Sequence, residues 1–316
     1  MSSGWGAGWL MSDPGWHLCL DMGGTKTAGA LFAPDRVEVA RAFAGPGAVS
    51  LGVDVTEAAL RVIWAEVGTG KAASTVTVAI GLAGIGLRDR VAALSARLQD
   101  FARVTIVGDG YGMVLAATGG GPGALIAVGT GVAAMRLMPD RRFLSLSGWG
   151  FPAGDLGSGA WIGLQAVAAL TRWIDRTGNG PPMGQDLASA LIAVLGGGAG
   201  AIMDRNTGGR ARDFAALAPL VITAADQGNP AARAILAAAA TEICAVGRAL
   251  WNGGPGEVLL AGGLAAPLAP WVRDAGPERA WRVVRADPLA GLSLLACGLA
   301  PQERLVARPG LPMPDY

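Results

Sequence analysis

The stretch from Trp16 to Phe32 constrains the fold more than any other part of the chain. An apolar run rises to Asp21, a tight turn follows at Gly23-Gly24-Thr25-Lys26, and a second apolar run starts at Thr27. Two such runs joined through adjacent glycines predict a β-hairpin. The glycines let the backbone approach a ligand closely and turn successive N–H groups toward an anion. Thr25 adds a hydroxyl and Lys26 a cation. Asp21, closing the first strand, can hold a hydrated Mg²⁺ through its carboxylate. This set suits a polyphosphate and its metal; the plainer alternative is an ordinary hairpin turn.

Beyond the hairpin, the order of elements predicts an α/β domain with a mixed sheet. A third strand is expected over 36–43, a helix over 55–66, a strand over 75–80 and a helix over 90–101. A short buried strand over 104–107 ends in Gly108-Asp109-Gly110, and a helix follows near 113–118. The glycine-proline cluster at 119–123 marks a boundary, after which the plan restarts. A strand over 125–128, the turn Gly129-Thr130-Gly131, a return strand over 132–137 and a strand over 143–146 repeat the architecture without close sequence repetition. Helices are then expected over 158–175, 186–195, 213–225 and 230–251, with Asn229-Pro230 as cap and first-turn proline. A strand over 258–261 ends in Gly262-Gly263, with a helix after it, a last strand over 281–285 and a closing helix over 288–299. The domain reading is a mobile leader (1–15), an N-terminal domain (16–118), a C-terminal domain (119–287), a closing helix (288–300) that packs back on the first domain, and a surface tail (301–316).

Composition narrows the function. Of 316 residues, 52% are hydrophobic and 16% charged, which opposes disorder. The net charge of +1, without a dense Lys/Arg run, opposes nucleic-acid binding. The 50 glycines follow no collagen period and read as tight loops. Cys19, Cys244 and Cys297 are too scattered for a C-x-x-C pair and fit buried thiols in a reducing cytoplasm. The first residues lack a signal-peptide pattern. Uncharged stretches at 111–135 and 187–203 are broken by glycine clusters, so no membrane span is expected.

Three glycine turns at strand ends, Gly23-Gly24, Gly129-Thr130-Gly131 and Gly262-Gly263, occupy equivalent places in two halves. The first two offer N–H groups and a threonine hydroxyl. The third lacks a hydroxyl and suits close approach to a flat nucleoside. Asp109 and Asp155 stand where a side chain reaches a cleft. A carboxylate that accepts the proton of an alcohol nucleophile contributes about 10²–10⁴ in rate, and Asp109 fits that role; the alternative for either aspartate is helix capping. Trp149, beside Gly150, is placed to stack on a sugar or to fill a core. Gly70-Lys71 lacks the rest of a P-loop, no G-x-G-x-x-G follows a strand, and the single His17 reads as structural, just ahead of the first strand.

With these motifs in this order, the chain resembles the sugar kinase–actin–Hsp70 superfamily after about residue 16. Within it, the chain is similar to the BadF/BadG/BcrA/BcrD-type branch that includes N-acetylglucosamine kinase and glucosamine kinase. The segments that carry the likeness are Asp21–Thr27, Gly81–Gly84, Gly108–Tyr111, Val128–Gly131 and Leu260–Leu264. The most specific is Gly148–Asp155, followed by Gly157-Ser158-Gly159. The resemblance implies two actin-like (ribonuclease H-like) domains, mixed sheets flanked by helices, and ATP in the interdomain cleft. It implies ATP contacts at Gly23, Gly24, Thr25, Lys26, Gly129, Thr130, Gly131, Gly262 and Gly263. It assigns the amino sugar to Gly84, Asp109, Thr130, Gly131, Trp149, Gly150 and Asp155, with Asp109 as base for the 6-hydroxyl and Asp21 on Mg²⁺. Two departures stand out: Leu156 where the family loop usually has Glu, and Gly108 where many relatives have Asn.

The expectation is a cytoplasmic, homodimeric hexosamine kinase acting on N-acetylglucosamine or glucosamine, without nucleic-acid or membrane partners. The rivals are an activator-type ATPase that drives a partner protein and a non-catalytic sugar sensor on the same fold. Clustered cysteines would favour the activator; the retained Asp21 and Asp109 speak against the sensor.

Overall fold

The computed structural model describes residues 15–177 and 180–306. The expected leader up to residue 14 and the tail from 307 lie outside them. The strands and helices, in chain order, are β1 (Trp16–Met22), β2 (Thr27–Phe32), β3 (Glu38–Ala44), α1 (Val53–Val67), β4 (Val76–Leu82), α2 (Arg88–Arg97), β5 (Arg103–Gly108), α3 (Asp109–Thr118), β6 (Gly123–Val128), β7 (Val132–Leu137) and β8 (Arg142–Ser147). After these come α4 (Gly159–Ile174), α5 (Gln185–Leu195), α6 (Ala199–Gly208), α7 (Ala211–Ala215), α8 (Ala218–Asp226), α9 (Pro230–Leu250), β9 (Val258–Ala261), α10 (Ala265–Ala275), β10 (Trp281–Val283), α11 (Pro288–Ala296) and β11 (Arg304–Leu305).

The described residues fall into two compact units. One comprises those up to 123, with 135–144 and those from 285 on; the other comprises 124–134 and those within 145–284. The first unit holds a five-stranded sheet in the order β3-β2-β1-β4-β5. β1 to β3 pair antiparallel, while β4 pairs parallel with both β1 and β5. Alternation along β1 sends Leu18, Leu20 and Met22 into a core with Leu60 and Ile63 of α1. The opposite face is covered by α11, which packs on β1, β4 and α3.

A six-stranded sheet has the order β10-β9-β6-β7-β8-β11. β9 pairs parallel with β6 and β10, so the ends of β6 and β9 lie side by side. The core of the second unit joins Ile126 and Val128 to α4, α8 and α9 through Ile162, Leu170, Val221, Leu236 and Ile243. By length and composition α9 is apolar enough to cross a membrane, and α5 with α6 passes only as a pair bent by 66°. The buried face of α9, including Leu236, Ile243 and Leu250, is part of this core.

Several expectations need correction. His17 lies inside β1 and is buried, not ahead of the strand. α3 starts at Asp109 itself, because Gly108 takes the extended cap position. The helix expected over 213–225 is two, α7 and α8, and the glycine cluster at 196–198 separates two helices where only α5 was expected. The tail is not wholly superficial. Its start adds β11 beside β8, and Glu303 has a buried carboxylate oxygen.

Candidate functional site

The first unit brings the opening turn together with two aspartates. In the turn, the Gly23 N–H donates to the Lys26 carbonyl at 3.0 Å. The Gly23 carbonyl in turn accepts from the N–H groups of Gly47 and Ala48. Farther along, the Ala83 N–H donates to the Met22 carbonyl, and the Val49 N–H to that of Ala83. The expected segment Gly81–Gly84 is therefore stitched to the end of β1, with Gly84 in a left-handed conformation at φ +86°. Gly24, Thr25 and Lys26 remain exposed, and the Cα of Gly24 faces open space.

Strand register explains the carboxylates. Asp21 pairs with Gly81 across β1 and β4, and Leu82 pairs with Gly108 across β4 and β5, so Asp21 and Asp109 emerge from the same sheet end. Burial, and then the neighbouring Asp109 charge, push the Asp21 carboxyl up to about 6, while Lys26 opposes the shift. Poor solvation also raises Asp109, against the backbone N–H groups of Gly110 and of Asp109 itself. Yet Asp109 is exposed. A reachable but poorly solvated carboxylate is the condition of a general base.

No group of three or more His, Cys, Asp or Glu side chains among the described residues could hold a metal by itself. Two acids at one sheet end, both with their charge disfavoured by poor solvation, still fit a divalent cation that is completed by water and phosphate oxygens. Asp21 would hold it.

The second unit brings together the other two glycine turns. The Gly129 N–H donates to the Gly131 carbonyl at 2.9 Å, closing the turn between β6 and β7. The Cα of Gly129 faces open space. Gly262, at φ +94°, runs so close to β6 that an added Cβ would lie 2.4 Å from the Val128 carbonyl oxygen. Gly263 is open, so one corner presents both turns with bare backbone. At the start of α4, the N–H groups of Gly159 and Ala160 donate to the carbonyls of Gly129 and Thr130, and Ser158 caps the helix by accepting from the Trp161 N–H. Asp155 lies over the turn: an added Cβ on Gly131 would be 2.8 Å from its Oδ2. Trp149 is 66% exposed, which removes the core alternative for this side chain, and Leu156 is exposed too. Asp155 does not cap α4; Ser158 does.

Two acidic residues in this setting were not anticipated. Asp287 caps α11, bonds Arg41 and adds its field to Asp21. The dipeptide Asp287-Pro288 carried the signal for a helix start. Glu303 accepts from the Gly108 N–H beside Asp109; a lone glutamate in a proline-containing tail gave no signal.

The sequence pattern of the BadF/BadG/BcrA/BcrD ATPase family matches residues 18–277. This chain belongs to that family. The family member is 26% identical over 290 residues to a glucosamine kinase of Vibrio cholerae, with 89% of this chain and 95% of the relative covered. It is 32% identical to a protein of Chromobacterium violaceum, provisionally named an N-acetylglucosamine kinase, whose structure it matches with a TM-score of 0.74 over 89% of this chain and 99% of that one. A ROK family glucokinase from Streptomyces griseus shares the fold, with a TM-score of 0.54 at 17% identity over 89% of this chain and 99% of that one. The family member thus has the actin-like α/β architecture of two helix-flanked sheets.

Proposed function

We propose that this protein is an ATP-dependent hexosamine kinase that phosphorylates the 6-hydroxyl of N-acetylglucosamine or glucosamine. The observation that carries the reading is Asp109, a carboxylate open to a substrate, poorly solvated, and fixed between the end of β5 and the first turn of α3. The relatives named as amino-sugar kinases support the substrate class.

In this reading Asp109 accepts the hydroxyl proton as the sugar oxygen bonds to the terminal phosphorus of ATP and the bond from that phosphorus to its bridging oxygen breaks, with ADP as the leaving group. Transfer of this kind depends mainly on positioning and charge neutralisation. The Gly24 N–H, the Thr25 hydroxyl and Lys26 face the phosphates from the turn that the Gly23 N–H closes, and the turn of Gly129, Thr130 and Gly131 faces them too. Asp21 would hold Mg²⁺, which would supply charge neutralisation when bound. Gly262 and Gly263 leave room for the nucleoside. Gly84, Asp155, Trp149 and Gly150 contact the sugar, Trp149 by stacking its exposed ring. The enzyme works in the cytosol as a homodimer.

The test is ADP release from ATP and Mg²⁺ with glucosamine, N-acetylglucosamine, glucose or no sugar. Sugar-dependent turnover is expected, falling about 10²–10⁴-fold in Asp109→Asn. Hydrolysis that ignores the sugar, or an Asp109→Asn enzyme with unchanged turnover, overturns the reading.

A further inference from the structure

Residues 301–306 form a strap over the end of β5. The Tyr111 hydroxyl donates to the Pro301 carbonyl at 2.6 Å, and the Gly108 N–H donates to Glu303 Oε1 at 2.9 Å. On the other side the N–H groups of Arg304 and Val306 donate to the carbonyls of Arg141 and Phe143. β5 is an edge strand, so its outward N–H groups have no strand partner. Glu303 supplies one at the last residue before Asp109. Its Oε2 is buried with no hydrogen-bond partner among the described residues.

We propose that Glu303 is a positioning residue for Asp109: by holding the Gly108 N–H it fixes the backbone from which the base projects. The inference rests on the kinase reading. Gly108 makes the anchor matter, because glycine leaves this junction the widest backbone freedom. An added Cβ there would lie 4.0 Å from Glu303 Oε1, so the strap contributes the carboxyl on the side where Gly108 has no side chain.

The anchor is sensitive to pH. Burial pushes the Glu303 carboxyl up to about 7. Its charge reaches the Tyr111 hydroxyl of α3, on which Arg141, in the turn before β8, acts in the opposite sense, and Asp109 follows its partner Gly108 in the chain. A carboxyl whose folded value is raised stabilises the docked strap most when protonated, and that contribution is lost as pH rises through about 7.

The experiment measures kcat and KM from about pH 5.5 to about pH 9 for the wild type, Glu303→Gln and Glu303→Ala, with amide exchange over residues 108–111. Glu303→Ala is expected to lower kcat about tenfold, leave both KM values within about twofold and speed exchange at Gly108 about tenfold. Glu303→Gln, an uncharged isostere that still accepts from Gly108, is expected to keep kcat within about twofold near pH 6.5 and to lose the wild-type decline above about pH 7. Unchanged kcat and exchange in Glu303→Ala, or a wild-type pH profile in Glu303→Gln, overturns the proposal. Should the wild type phosphorylate no sugar, the kinase reading fails, and exchange at Gly108 alone decides whether Glu303 anchors the junction.

Discussion

At the scale of the residue, Asp21 sets function against stability. Its folded carboxyl titrates at about 6 because burial and Asp109 both disfavour the charge. A raised value in the folded state means that stability is fullest below the unfolded value near 3.8 and is lost as pH rises through about 6. Ionised Asp21 therefore costs the metal-free protein about 3 kcal/mol at neutral pH. Asp21→Asn is expected to raise the metal-free melting temperature at pH 7 and to remove any stabilisation by Mg²⁺ with nucleotide; thermal scans with and without the ion check both. For the wild type, that ligand stabilisation should shrink as pH falls below about 6, where Asp21 is protonated. Trp149 is the opposite case, since its exposed ring gives little to the fold. Trp149→Ala should leave stability within about 0.5 kcal/mol, and steady-state kinetics should show sugar KM rising about tenfold with ATP KM unmoved. The types and spacing of both residues pointed to their chemistry, but exposure did not. In sequence a tryptophan between two glycines reads equally as core or as stacking surface.

At the scale of the element, two glycines place the helix that begins with Asp109. Where α11 crosses α3, a Cβ on Gly291 would stand 1.8 Å from the Gly112 carbonyl oxygen, and one on Gly112 would stand 2.7 Å from that of Pro288. Backbone meets backbone there, so neither contact can be relieved by a side-chain rotation. Alanine is the better helix former by about 1 kcal/mol, yet overpacking a rigid contact costs about 1–3 kcal/mol. Gly291→Ala should therefore lower the midpoint of denaturant unfolding and reduce kcat by displacing α3. A midpoint equal to or above that of the wild type would sink this account of the crossing. The sequence placed a closing helix over 288–299, but small residues at a crossing leave no periodic trace. The start of α3 was equally hidden: Asp109-Gly110-Tyr111-Gly112 carries two glycines, which read as loop until Gly108 is seen in the extended cap position.

At the scale of the whole molecule, the repeated plan of strand, glycine turn and strand was legible because each copy has its own hydrophobic alternation and its own punctuation. The return of the chain was legible only in part. The closing helix showed as an apolar run after Asp287-Pro288, whereas β11 is two residues long and the strap is held chiefly by backbone groups and one glutamate. Contacts of that kind depend on where the edge of a sheet happens to lie, which no local pattern encodes. The same scale decides between the kinase reading and an activator ATPase. An activator that holds an iron–sulfur cluster between subunits must present thiolates at a surface. Cys19, Cys244 and Cys297 are all buried. Burial raises the Cys19 thiol well above its usual value and pushes Cys244 up to about 11, so neither is a ready thiolate ligand. Anaerobic reconstitution with iron and sulfide should therefore leave the visible spectrum without charge-transfer bands. Sugar-dependent ADP release should survive Cys244→Ser at close to the wild-type rate, because that thiol donates to the Val272 carbonyl inside the second unit's core. A stable cluster bound by the wild type, with ATP hydrolysis that ignores sugar, would move the protein to the activator class.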